Sequence, residues 1–103
     1  MTKHKKLEVV HEDYFREHPE EIPDYLTEIF ATYAEDDDTA ALLSQLRVLA
    51  RVVGISEISE TTGISRQGLQ RALSEKGNPR LENITAIMKA MGYKLTPQPL
   101  GLR

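Results

Sequence analysis

The stretch GISRQGLQRALSEKGNP, residues 63–79, gathers hydrogen-bonding side chains at the opening of one short helical run. Arg66 can donate two parallel hydrogen bonds to guanine O6 and N7, and Gln67 or Gln70 can pair with adenine N6 and N7. Ser65 and the free N–H groups at a helix start favour a phosphate oxygen. Arg71, Lys76 and Arg80 suit backbone phosphates, with Asn78 and Asn83 as neutral donors. Gly68, inside the run, costs about 1 kcal/mol relative to alanine. Its missing side chain would let the helix approach DNA or a neighbouring helix closely. Taken singly, each base could be an ordinary solvated charge. Together they make a polar, basic, weakly apolar surface of the kind a groove-reading helix needs.

Other chemistries lack their parts. His4, His11 and His18 recur every seven residues, but the segment has no helical apolar pattern and no carboxylate spacing that closes a metal site. Serines 44, 56, 59, 65 and 74 have no histidine near them in the second half of the chain, which disfavours a hydrolase triad. The paired acids at 20–21 and 36–38 fall on an exposed helix or its cap. There is no glycine-rich phosphate loop and no cysteine, so neither disulfides nor thiolate metal sites are available. The expectation is a non-enzyme with no cofactor and no metal.

The elements that must position residues 65–70 read as helices. Residues 1–18 are polar without clean periodicity and are expected to form a mobile arm, with at most a turn of helix near 13–17. Ile22, Tyr25, Leu26, Ile29, Phe30 and Tyr33 then mark one stripe of an acidic amphipathic helix within 19–37. An aspartate of the 35–38 run caps the next helix, 39–53, whose buried stripe is Leu42, Leu46, Leu49, Ala50 and Val53. Gly54 ends it. Ser56 is expected to cap a short helix ending at Gly63, and Ser65 caps the one after it, with Leu69, Ala72 and Leu73 inward. Gly77-Asn78-Pro79 stops that run. A last helix over 82–91 buries Ile84, Ile87, Met88 and Met91, residues 93–96 alternate like a short strand, and 97–103 form an extended tail. Two short helices around a glycine turn form a helix-turn-helix signature, with Ser59 small at the crossing and Ile58, Ile64, Leu69 and Leu73 as anchors. The fold class is therefore all-α, about five helices with a short C-terminal strand, the helix-turn-helix domain spanning 38–96.

The net charge of −3 conceals a division. Residues 1–38 hold twelve acids and four bases, net −8, whereas residues 39–103 hold nine bases and four acids, net +5. Such asymmetry points to one basic and one acidic partner, or to two solvated faces that happen to differ. No apolar run approaches the roughly 20 residues of a bilayer span, and the N-terminus lacks a signal-peptide pattern, so a cytoplasmic, nucleoid-associated protein is expected.

From 38 to 95 the sequence resembles the λ-repressor-like (XRE-type) helix-turn-helix proteins. More closely, it resembles the probable addiction-module antidote proteins, the antitoxins of bacterial toxin–antitoxin pairs. The residues that carry the likeness are GISEISETTGISRQGLQRALSEKGNPRLENITAIMKAMGYKL, with the preceding PDYLTEIFATYAEDDDTAALLSQLRVLARVVG. The resemblance implies an autorepressor that binds operator DNA and neutralises a small basic toxin of the RelE/ParE/HigB kind. It places Ser65, Arg66, Gln67 and Gln70 at base-reading positions and Ser56 at a phosphate-contacting helix start. Ile55 stands where many phage repressors carry glutamine, and Ser59 where alanine is usual.

The acidic segment offers Glu21, Asp24, Tyr25, Glu28 and Glu35 to a basic toxin, while its apolar stripe packs on the domain. A homodimer is expected, since one module reads few bases. Met91, Tyr93 and Leu95 are candidate interface residues, because a lone strand needs a partner. Two other readings remain: a stand-alone helix-turn-helix transcriptional regulator without a toxin, and an interaction module that no longer binds DNA.

Overall fold

The computed structural model describes residues 7–101, which are helical wherever they are regular. Six α-helices follow one another: α1 (Leu7–Glu17), α2 (Ile22–Asp36), α3 (Thr39–Val53), α4 (Ile55–Thr62), α5 (Arg66–Ala72) and α6 (Leu81–Ala90). A single 3-10 turn, Pro19–Glu21, links α1 to α2.

The apolar pattern of α3 makes it the centre. Leu42, Leu43, Leu46, Val48, Leu49 and Ala50 are buried, on a wider front than one helical stripe supplies. α1 and α2 pack against it from the N-terminal side, α4 from the other, and α6 closes over α4. The stripe of α2 behaves as its spacing predicts: Leu26 and Ile29 are buried, with Ile22, Tyr25, Phe30 and Tyr33 half-buried against the same core. Asp37 ends α2 in the left-handed region at φ +54°, its N–H donating to the Tyr33 carbonyl. Asp38 caps α3 by accepting from the Ala41 N–H at 3.0 Å. At Gly54, φ +124°, the chain swings through 95° into α4.

Three expectations need correcting. Residues 7–17 form a helix packed on α3, not a polar arm. Its inward face consists of Glu8, Glu12 and Phe15, so most of what it turns to the core is charged, and a search for apolar periodicity passes over it. Residues 93–96 are not a strand, and no strand occurs among the described residues. The Tyr93 N–H instead donates to the Met88 carbonyl at 2.8 Å, prolonging the turn that ends α6. Ser56 is not a helix cap: α4 begins at Ile55 behind Gly54, and no side chain caps it. Among the described residues, no single helix is long and apolar enough to cross a membrane.

Candidate nucleic-acid interface

The turn between α4 and α5 is three residues long, and side chains close it. Gly63 takes φ +80°, which only glycine adopts without steric cost, and its N–H donates to the Ser59 carbonyl at 2.9 Å. The Ser59 hydroxyl donates to the Ile64 carbonyl at 2.6 Å. Thr62 Oγ1 donates to the Ile58 carbonyl at 2.8 Å and accepts from the Ile64 N–H at 3.1 Å. Ser65 then caps α5, its oxygen accepting from the Gly68 N–H at 2.9 Å. Beneath these bonds Ile58, Leu69 and Leu73 are essentially inaccessible to water. The small residue expected at 59 thus also supplies a hydroxyl that fixes the turn.

Leu69, buried, and Ala72, half-buried, take the inner face of α5, and its polar side chains turn outward. Ser65, Arg66, Gln67, Gln70 and Arg71 are all exposed on one short element. Lys76, Asn78 and Arg80 are exposed in the segment that follows, Asn83 is half-buried at the start of α6, and Ser56 is exposed in the first turn of α4. Gly68 has a local reason: a Cβ there would lie 3.0 Å from Ile64 Cγ2 and 3.1 Å from Ser65 Oγ, inside the capped turn.

Sequence reasoning missed an ion-pair network behind this surface. Glu8 of α1 pairs with Arg47 of α3 through two hydrogen bonds, the Nε contact at 3.2 Å and a shorter one to Nη2. Arg51 Nη1 lies 3.2 Å from Glu8 Oε1 and 3.1 Å from Glu12 Oε2. Ser44 donates to Glu8 at 3.3 Å, and Arg16 Nη2 contacts Glu12 at 3.2 Å. Hydrogen bonding to Arg47 is the main reason the Glu8 carboxyl ionises below the ordinary 4.5, against the opposing cost of its burial. Arg47 Nη1 also donates to the Leu73 carbonyl at 2.5 Å, so one guanidinium bridges α1 and the end of α5. The signal was present in the spacing: acids at 8 and 12 face bases at 47 and 51, each pair one helical turn apart.

On the acidic side, Glu21, Asp24, Glu28 and Glu35 are exposed and Tyr25 is half-buried, its ring 4.7 Å from that of Phe15. Burial, then the neighbouring Glu28, pushes the Tyr25 phenol up. The Tyr14 hydroxyl donates to the Glu21 carboxylate at 2.7–2.8 Å, which raises its own ionisation point. Met91 and Tyr93 are half-buried against their own core, and Leu95 is exposed.

Comparison with known proteins agrees with the earlier resemblance. Residues 5–99 match the family described as probable addiction module antidote protein. An uncharacterized protein of Haemophilus influenzae (strain Rd) is 39% identical over 79 residues, covering 77% of each chain. No solved structure matches the chain significantly. With nearly its whole length matched, the chain belongs to the family of probable addiction module antidote proteins.

Proposed function

We propose that this protein is the antitoxin of a type II toxin–antitoxin pair, a non-enzymatic repressor that binds its own operator and neutralises a small basic RelE/ParE/HigB-like toxin. The family supplies the antidote role and implies a toxin partner. The DNA half of the reading rests on one observation. Ser65, Arg66, Gln67 and Gln70 are exposed together on a short helix whose entry turn is pinned by Ser59, Thr62 and Gly63. Such a helix presents its N-terminal side chains to a major groove with little freedom to lose. Ser56, Arg71, Lys76, Asn78, Arg80 and Asn83 take the flanking phosphates.

A homodimer would set two such helices on half-sites one helical turn apart, with Met91, Tyr93 and Leu95 at the interface. Glu21 in the turn before α2 and Asp24, Glu28 and Glu35 along it, with the half-buried Tyr25 beside them, meet the toxin by charge complementarity. The protein then works in the cytoplasm on nucleoid DNA.

The test is a titration of the protein and of Arg66→Ala against the gene's own upstream DNA and a scrambled duplex. Loss of a bidentate guanine contact should cost about 1–3 kcal/mol, roughly 5- to 150-fold, on the upstream duplex and little on the scrambled one. Equal, weak binding of both duplexes by the unaltered protein rejects groove reading and leaves the antidote role to toxin binding alone.

A further inference from the structure

Between α3 and the C-terminal end of α5 lies an open cleft lined by Arg47, Arg51, Gln70, Ser74, Glu75 and Lys76. It carries three cations and one acid, beside the Gln70 amide, while the Ser74 hydroxyl is spent on the Arg71 carbonyl at 2.9 Å. Arg47 is engaged on both sides, by Glu8 and by the Leu73 carbonyl. Arg51 is not: among the described residues, only its Nη1 nitrogen meets a carboxylate, which leaves Nε and Nη2 as donors. Gln70 belongs both to the exposed run of α5 and to the cleft wall. A duplex seated on that run would therefore carry its backbone across the cleft mouth. Glu8 and Glu12 hold the same guanidiniums without lining the cleft, on a helix outside the paired α4–α5 unit.

We propose that this cleft takes a backbone phosphate of DNA on Arg51 and Lys76, and that Glu8 and Glu12 of α1 compete with that phosphate for the α3 guanidiniums. The proposal rests on the DNA-binding reading and extends it to α3, with α1 as a restraint on affinity. A carboxylate held against Arg51 offsets the charge that a phosphate would meet, so removing it strengthens the site. Each phosphate gained also steepens the fall of affinity with salt, by about 0.9 in the logarithmic slope.

The experiment is a double-mutant cycle on the full chain, read by fluorescence anisotropy on a scrambled duplex at several salt concentrations. Its members are the unaltered protein, Arg51→Ala, Glu8→Gln with Glu12→Gln, and the triple variant. Glu17→Gln with Glu20→Gln controls for charge, because both residues are exposed and outside the cleft. The paired change at 8 and 12 should tighten binding about tenfold with a slope steeper by about one, well beyond the control. Arg51→Ala should then cost several-fold more in that background than in the unaltered chain. The prediction holds whether α1 stays docked or lifts, since either frees the guanidiniums.

An equal cost of Arg51→Ala in both backgrounds, or a gain no larger than the control's, overturns the proposal. So does the absence of duplex binding by every member. The cycle uses a scrambled duplex, so a failure of groove reading, reported by Arg66→Ala on the upstream duplex, is separable from a failure of the cleft. Thermal stabilisation by inorganic phosphate that vanishes in Arg51→Ala, with a flat duplex cycle, would assign the cleft to a small anion and overturn the nucleic-acid assignment.

Discussion

A Cβ at Gly77 would meet the Ala72 carbonyl oxygen at 2.5 Å and that of Arg71 at 2.8 Å. Both obstacles are backbone, at the point where the Gly77 N–H donates to the Ser74 carbonyl and folds the chain away from α5. Gly68 differs in kind. Its neighbours are side-chain atoms that can yield by tenths of an ångström, and alanine there recovers about 1 kcal/mol of helix propensity. Gly77→Ala should therefore destabilise the fold by about 2 kcal/mol or more, whereas Gly68→Ala should fall within about 0.5 kcal/mol of the parent. Urea denaturation of the two variants measures both, and equal costs would refute the distinction. Residue types placed the helix stop at 77–79, but α5 already ends at Ala72, and Gly77 closes the turn that follows. Nor could they reveal that glycine is sterically required there, because the clash involves carbonyls five and six residues earlier.

Among elements, α2 to α6 were legible and α1 was not, for a physical reason. In α3 the apolar residues point inward, so their spacing announced both the helix and its bounds, 39–53. In α1 the apolar Leu7, Val9 and Val10 are exposed while Glu8 and Glu12 face α3. A rule that sends apolar side chains inward reads such a helix as noise. The predicted strand failed differently: alternation at 93–96 is a valid strand pattern, but no second strand exists among the described residues to pair with it. The charged docking of α1 also has a pH signature. Glu8 ionises at a lower pH in the fold than its ordinary 4.5, so its stabilising contribution is complete above about 4.5 and drains away as pH falls through the depressed value. Amide exchange across α1 should accelerate on acidification below pH 4.5 before the α3 core opens. Glu8→Gln should show the faster α1 exchange already at neutral pH. Simultaneous opening of α1 and α3 at every pH would show that the ion pairs do not govern docking.

For the whole molecule, the charge division proved less simple than two surfaces for two partners. Part of the acidic half is spent on the basic half, Glu8 and Glu12 against Arg47 and Arg51, while exposed acids remain along α2 and in the turn before it, among them Glu20, Glu21, Asp24 and Glu28. The residues proposed to read bases and to meet a toxin were legible as types, and all of these but the half-buried Tyr25 are exposed; the link between the two halves showed only in the shared four-residue spacing of 8 and 12 with 47 and 51. If two copies combine, scattering at micromolar concentration should give twice the mass of one chain. A monomer there would remove the roles assigned to Met91, Tyr93 and Leu95. The bridge at Arg47 has a further consequence for how the sequence can drift. One end grips a carboxylate that belongs to a side chain, and the other grips the Leu73 carbonyl, which every amino acid possesses. Across descendants of this gene, positions 8 and 47 should therefore change together or not at all, as should 12 and 51. Position 73 is held only by its place in the core, and its identity can vary among apolar residues without any echo at 47.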